Sequence, residues 1–131
     1  MNAPTPAQPT NASAMARRSA AMPRGVGQAH PVFAARALNA EIWDIEGRRY
    51  IDFVGGIAVV NTGHCHPKVV AAARRQLDDF THTCFQVVAY DSYVRLCERL
   101  NELAPCAGAK KSMLVSSGAE AVENAIKIAR A

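Results

Sequence analysis

The sequence lacks three features that would each point to a particular class of protein. No apolar run approaches the roughly 18 consecutive residues of a membrane-spanning helix, so we expect no membrane partner. Neither glycine-rich phosphate motif, G-x-G-x-x-G or G-x-x-x-x-G-K-[ST], occurs. A secretory signal is also missing, so the four cysteines are predicted to be reduced thiols in a cytoplasmic protein.

Acidic residues are absent from the first forty positions, and the first of them is Glu41. Of the 15 lysines and arginines, four precede Glu41, and the other 11 are balanced by 11 acids. The formal net charge of +4 therefore belongs to the first forty residues, and the rest of the chain is neutral. Since a nucleic-acid-binding protein needs a basic face on its folded part, we expect no nucleic-acid partner.

Residues 1–16 are rich in Pro, Ala, Asn, Ser and Thr and show no periodicity. This composition predicts a disordered tail. Arg17 and Arg18, with no acid nearby, would also suit an organelle transit peptide. The stretch is not clearly amphipathic, so a flexible tail is the preferred interpretation.

The last twenty residues, 112–131, carry the clearest pattern in the chain. Residues 113–115 form a short apolar run that predicts a buried strand. Ser117 and Glu120 then form an S-x-x-E capping box, after which apolar residues recur at helical spacing. The stretch therefore predicts a strand, a tight turn and a helix.

This turn is a candidate phosphate site, because unpaired N–H groups and the positive end of the helix dipole meet there. Gly118 would let a ligand approach the backbone closely, and Ser117 would add a hydroxyl donor. An ordinary βα turn that binds nothing is the alternative interpretation.

Turn residues and periodicity predict the remaining elements. These are an extended, irregular approach over 23–40, a β-hairpin over 41–53, a helix from Pro67, an extended segment over 81–90 and a helix capped by Asp91 or Ser92. They make a chain of mixed α/β class.

Potential metal ligands and nucleophiles cluster in the middle of the chain, at His64, Cys65, His66, His82 and Cys84. Their spacing does not match that of structural zinc sites, so we predict no metal site. No third group orients a cysteine for nucleophilic attack. None of the four lysines lies in surroundings typical of a Schiff-base lysine.

Four stretches together resemble the class III, pyridoxal-phosphate-dependent aminotransferases. They are PRGVGQAHPVFAARA at 23–37, WDIEGRRYIDFVGGIAVVNTGHCHPKVVAA at 43–72, THTCFQVVAY at 81–90 and SSGAEAVENAIKIARA at 116–131. Their most specific parts are D-x-x-G-x-x-Y-x-D-F, G-H-x-H-P and S-G-A-E-A-x-E-x-A-x-K, in this order. Within the family, GGIAVVNTGH and HTCFQV favour the members that act on 4-aminobutyrate.

The resemblance implies an α/β fold, the N-terminal portion of a fold-type I pyridoxal-phosphate-dependent transferase. Residues 17–66 would form the N-terminal segment and the hairpin of the small domain. Residues 67–131 would begin the large domain with its mostly parallel sheet. Because Ala131 lies in mid-helix, we expect the chain to be the front portion of a larger protein.

The resemblance also implies the chemistry. Gly118 and Ala119 would bind the phosphate of pyridoxal 5'-phosphate through backbone N–H groups, with Ser117 beside them. Ile57 would line the substrate pocket, and Gln86 would lie near substrate or cofactor. The family acts as homodimers or larger assemblies.

The implied reaction transfers the amino group of 4-aminobutyrate to 2-oxoglutarate and yields succinate semialdehyde and glutamate. The Schiff-base lysine, the acid at the pyridine nitrogen and the carboxylate-binding arginine would lie beyond Ala131. We therefore expect the 131 residues alone to be inactive. The alternatives are another class III enzyme of acetylornithine or ornithine type, and a non-catalytic remnant that at most pairs with an intact subunit.

Overall fold

The computed structural model describes residues 8–131, whose helices and strands lie in two compact units. The first unit ends at Asp79 and contains α1 (Asn11–Ala21), β1 (Ala34–Leu38), β2 (Glu41–Asp44), β3 (Arg49–Ile51), α2 (Gly55–Ala58) and α3 (Pro67–Asp79). The second, Phe80–Ala131, contains α4 (Asp91–Leu103) and α5 (Gly118–Arg130). The predicted boundary between residues 66 and 67 refers to the domains of a whole aminotransferase and stays a prediction.

The predicted hairpin over residues 41–53 is confirmed by the antiparallel pair β2 and β3. Ile42 lies opposite Tyr50, and Glu41 lies opposite Ile51. The chain reverses at Gly47, whose φ of 81° is easily adopted only by glycine. Helix α3 also begins at Pro67, as its sequence predicts.

A third strand, β1, pairs with the other edge of β2, which gives the sheet order β1-β2-β3. The sequence predicts an extended, irregular segment over 23–40; residues 34–38 are extended, but the prediction that they are irregular is wrong. Asn39 turns the chain tightly into β2 with a φ of 51°, a region that asparagine tolerates better than most residues. The guanidinium of Arg36 lies 3.6 Å from the ring centre of Trp43, so a cation–π contact also joins the two strands.

Helix α1 corrects the prediction of a disordered tail over 1–16. Residues 11–16 belong to this helix, whereas residues 1–7 lie outside the described part. Thr10 and Ser13 form a reciprocal capping box at its start. The Asn11 side chain donates to Asp44 Oδ2 (2.8 Å) and accepts from the Phe33 N–H (2.8 Å), so the helix is tied to the sheet by polar bonds that composition does not reveal.

Asp44 is the most buried side chain in the described residues, with 2% of its surface exposed. Its carboxylate accepts hydrogen bonds from the N–H groups of Glu46 and Arg48 and from the side chains of Asn11 and Tyr50. Burial alone would raise the pKa of this carboxyl, but the four hydrogen bonds together lower it below its usual value. Asp44 therefore joins α1, the hairpin turn and β3 as an ionised acceptor.

Aromatic rings organise the start of the second unit. Phe85 stacks on Tyr93 of α4 with ring centres 4.2 Å apart, and it meets Tyr90 edge to face at 5.2 Å. Residues 84–87 form a turn closed by a bond from the Val87 N–H to the Cys84 carbonyl (2.8 Å). The prediction of an extended segment over 81–90 is therefore wrong for this turn, because aromatic packing outweighs the local β propensity.

Two smaller predictions in this unit are also wrong. Residues 113–115 are not in a strand, and the Leu114 N–H donates to the Tyr93 hydroxyl at 3.0 Å. A strand needs a neighbour to bond with, and no described strand lies beside this segment. Helix α4 begins after Tyr90, with no side-chain cap, and Asp91 instead pairs with Arg95 at 3.0 Å.

Apolar side chains remain widely exposed. No hydrophobic residue in the described part of the chain is buried. Phe53, Ile57 and Val59, which lie close together in the sequence, are each more than 70% exposed. Within the first unit, the described contacts are thus mainly those of the sheet and the polar bonds around Asp44. No helix within residues 8–131 combines the length and apolarity needed to cross a membrane.

Candidate cofactor and substrate site

The N-terminus of α5 has the structure that its sequence predicts. Ser117 is the N-cap, and its hydroxyl oxygen accepts from the Glu120 N–H at 3.2 Å. The Glu120 carboxylate returns to accept from the N–H groups of Ser116 and Ser117, both at 2.9 Å. This reciprocal box fixes the direction of the first helical turn.

The box leaves two donors free. The N–H groups of Gly118 and Ala119 have no acceptor among the described residues. The Ser117 hydroxyl uses only its oxygen in the box, so its hydrogen remains able to donate. These three donors are the ones that the sequence assigned to a phosphate, and they lie at the positive end of the helix dipole.

Space beside Gly118 is open. A methyl group added at its Cα would meet no atom within 4 Å, so a ligand can approach this part of the backbone. The acidic residue nearest to the free donors in sequence is Glu120, and its carboxylate already accepts from the N–H groups of Ser116 and Ser117. The residues present therefore fit a phosphate group that takes its donors from Ser117, Gly118 and Ala119.

Gln86 lies in the same unit, in the turn at residues 84–87, and its side chain is exposed. Cys84, at the start of the turn, has a φ of 54°, and the Thr83 hydroxyl closes the turn by donating to the Val88 carbonyl at 2.7 Å. The turn also carries Phe85, whose stacking on Tyr93 fixes it to α4. Gln86 is thus presented to solvent by a well-anchored turn.

Ile57 belongs to the first unit and lies in α2, which follows a left-handed path. All four residues Gly55–Ala58 have a positive φ, with values of 55°, 65°, 61° and 60° along the chain. A β-branched residue such as Ile57 rarely adopts this region, and here its side chain is 85% exposed. Strained residues of this kind concentrate at binding and catalytic sites.

Asp52 lies before this turn in the chain, and His64 lies after it. The sequence analysis gave no role to Asp52 and considered His64 only as a potential metal ligand. Asp52 Oδ2 lies 2.7 Å from His64 Nε2, while Asp52 Oδ1 accepts from the N–H groups of Val54 and Gly55. The hydrogen bond from His64, followed by that from Gly55, lowers the pKa of the Asp52 carboxyl. The only sequence sign of this arrangement was that Asp52 belongs to the D-x-x-G-x-x-Y-x-D-F motif and His64 to the G-H-x-H-P motif.

Comparison with known proteins identifies the family of the chain. Residues 21–131 match the family model of Aminotransferase class-III. The chain is 62% identical over 122 residues to the 4-aminobutyrate aminotransferase GabT of Escherichia coli (strain K12), and equally so to the 5-aminovalerate aminotransferase DavT of Pseudomonas aeruginosa. Each alignment covers 93% of this chain and 29% of the relative.

Among solved structures, the ornithine aminotransferase of Toxoplasma gondii, whose active site is described as partly occupied by PLP, aligns with a TM-score of 0.80 and 33% identity. That alignment covers 92% of this chain and 27% of the other. The chain therefore belongs to the class III aminotransferases, and its fold is the mixed α/β fold of their N-terminal part. It spans less than a third of the length of these relatives.

Proposed function

We propose that the protein acts as a pyridoxal-phosphate-dependent aminotransferase of ω-amino acids. The proposed reaction converts 4-aminobutyrate and 2-oxoglutarate into succinate semialdehyde and glutamate. Its main support is the pair of free N–H groups at Gly118 and Ala119, found in a chain that is 62% identical to GabT. The ornithine aminotransferase of Toxoplasma gondii is less similar to this chain than GabT is, at 33% identity, which favours an ω-amino acid of simpler structure.

In this proposal, the cofactor phosphate is held by the N–H groups of Gly118 and Ala119 and by the Ser117 hydroxyl. The positive end of the α5 dipole adds favourable electrostatics for a dianionic group. The bound pyridoxal phosphate supplies the electron sink that transamination needs. The part of the protein in residues 1–131 therefore contributes binding and orientation, and the Schiff-base lysine, the pyridine-nitrogen acid and the carboxylate-binding arginine are proposed to lie outside it.

Ile57 and Gln86 are the proposed substrate-wall residues. The equal identity to DavT makes 5-aminovalerate a second candidate donor, since it differs from 4-aminobutyrate by one methylene. A single methylene in an apolar pocket typically changes kcat/KM by about 10- to 200-fold, so comparing the two donors decides between them.

Several properties of the whole protein follow from family membership and remain proposals. They are a homodimeric or larger assembly, a small domain that includes residues 17–66 and a large domain that begins at residue 67. We also propose a cytoplasmic location, which agrees with four cysteines that form no disulfide. A non-catalytic remnant would instead co-purify in a 1:1 ratio with an intact transaminase.

The test uses a grafted enzyme, in which this chain replaces the segment of Escherichia coli GabT that aligns with it. Gly118→Pro removes one phosphate donor and keeps the helix, because proline is favoured at the first helical position. Ser117 has a φ of −143° and a ψ of 158°, a conformation that a following proline requires. Gly118→Ala is the matched control, since it keeps the N–H and its methyl group meets nothing within 4 Å.

We expect Gly118→Pro to weaken cofactor binding roughly 10- to 150-fold, because one hydrogen bond to a charged group contributes about 1.5–3 kcal/mol. Gly118→Ala should bind within about threefold of the parent, since its donor is intact. Cofactor affinity is measured by absorbance titration of the apoenzyme, and circular dichroism checks the helix. Equal affinity in parent and Gly118→Pro would refute the phosphate assignment.

A further inference from the structure

We propose that Asp52 and His64 are positioning residues for substrate selection, which they perform by holding the loop that presents Ile57. The inference rests on the proposed function, because it takes Ile57 to be part of the substrate wall. We call residues 52–64 the Ile57 loop and the Asp52–His64 pair its clasp. The clasp lies wholly within the first unit of the chain.

The clasp closes the loop at its ends. One oxygen of the Asp52 carboxylate bonds to His64 Nε2 at 2.7 Å, across twelve residues of chain. The other oxygen accepts from the N–H groups of Val54 (3.0 Å) and Gly55 (2.9 Å), which begin the left-handed turn. One carboxylate therefore links the two ends of the loop and also binds the first N–H groups of its turn.

Both ends of the loop are also fixed to the connection between β1 and β2. The Asp52 N–H donates to the Ala40 carbonyl at 2.8 Å. His64 exchanges two backbone hydrogen bonds with Asn39, at 2.8 and 3.0 Å. Gly63 has a φ of 81° and lies so close to Asn39 that an added methyl group would be 3.0 Å from its Cα, so a side chain here would be strained and would have to displace Asn39. The clasp is thus attached to the turn that joins β1 and β2.

The turn inside the loop needs such support. Ile57 has a φ of 61° and a ψ of 62°, and Ala58 has a φ of 60°, conformations that are unfavourable for residues with a side chain. Among the described residues, the apolar side chains around them give little support, since Phe53, Val54, Ile57 and Val59 are all largely exposed. Backbone bonds from Ala58 to Val54 and from Val59 to Gly55 close the turn, and the clasp fixes its first residues.

A loop with closed ends and a strained turn at its centre is a common way to hold a binding residue in one position. Removing the His64 side chain would leave the backbone bonds of both loop ends in place, but it would release the Asp52 carboxylate and so weaken its bonds to Val54 and Gly55. The position of Ile57 would then vary. The expected consequence is weaker discrimination between donors that differ in length by one methylene, with less effect on cofactor binding at α5.

The experiment compares three variants of the grafted enzyme. His64→Leu removes the clasp, and His64→Gln restores an N–H donor toward Asp52. His30→Leu is the matched control, because His30 is an exposed histidine of the same unit that lies outside the loop. The readout is the ratio of kcat/KM for 4-aminobutyrate to that for 5-aminovalerate, together with hydrogen exchange at the N–H groups of Val54 and Gly55.

We expect His64→Leu to change this ratio by at least about fivefold, part of the discrimination that one methylene provides. His64→Gln should recover most of the parental ratio, and His30→Leu should keep it. An equal loss of activity toward both donors, with the ratio unchanged, would mean that the clasp only stabilises the fold, and the proposal would be overturned.

Failure of the proposed function is distinguishable from failure of the clasp. If the parental graft transaminates neither donor, the proposed function is wrong, and the hydrogen-exchange readout then decides on the clasp. Faster exchange at Val54 and Gly55 in His64→Leu, but not in His64→Gln, would support positioning of the loop by His64. Unchanged exchange in His64→Leu would overturn it.

Discussion

Ala58 offers the sharpest test of the left-handed turn, through the substitution Ala58→Gly. With a φ of 60°, Ala58 carries the usual penalty of about 1–2 kcal/mol for an L-residue in the left-handed region. Glycine removes this penalty, but its greater conformational entropy favours the opened chain by about 0.4–1 kcal/mol. The difference predicts that the closed loop becomes more stable by about 0.5–1 kcal/mol.

Hydrogen exchange in the grafted enzyme measures this change directly. The N–H groups of Val59 and Val60 both donate to the Gly55 carbonyl, at 2.8 and 3.0 Å, so they report on opening of the turn. A gain of about 0.5–1 kcal/mol slows their exchange roughly two- to fivefold. The substitution leaves the Ile57 side chain untouched.

Ala73→Gly is the matched control, because Ala73 lies in the middle of the right-handed helix α3. The same substitution should lower the stability of this helix by about 1 kcal/mol and speed hydrogen exchange within it. We thus expect hydrogen exchange to slow in Ala58→Gly and to speed up in Ala73→Gly. If Ala58→Gly speeds the exchange of Val59 and Val60, the left-handed turn is not strained as we argue.

Two other predictions concern Asp44 and the isolated chain. The lowered pKa of Asp44 means that its stabilisation of α1 is fully present above pH 3.8, the usual value, and is lost as the pH falls through the lower value of the folded state. Pepsin cleavage within α1 should therefore rise below pH 3.8, and Asp44→Asn should remove this pH dependence. The same dependence of cleavage on pH in both proteins would contradict the role of Asp44. The isolated chain has 11,320 Å² of accessible surface, against roughly 6,700 Å² for a folded monomer of its mass. It should bind the dye ANS and melt without cooperativity, whereas a sharp thermal transition would show that it folds alone.

Local patterns predicted the parts of the fold that depend on nearby residues. The capping box at Ser117 needs only Glu120, three residues on, and both sequence and structure place the start of α5 there. The hairpin from Glu41 and the helix from Pro67 likewise follow from short-range periodicity and turn residues. The strand predicted at residues 113–115 failed because a strand depends on a neighbour rather than on its own composition.

Distant contacts account for what the sequence did not predict. Asn11 orders α1 through partners that are 22 to 35 residues away, and a tail rich in alanine gives no sign of them. The left-handed Ile57 contradicts its own propensity, so no local rule would have placed it there. Asp52 and His64 were visible as residues, but the backbone bonds that bring them together go to Asn39 and Ala40, in the turn between β1 and β2.

Asn11 has a practical consequence for the design of shortened proteins. Its backbone N–H donates to Glu46, its amide nitrogen to Asp44, and its amide oxygen accepts from Phe33, so a single side chain and its own N–H join three segments. The family match begins only at residue 21, where α1 ends. A protein trimmed to that match would lose Asn11 and leave the Phe33 N–H without this acceptor, so expression and crystallisation work should start upstream of Thr10, the residue that caps the helix.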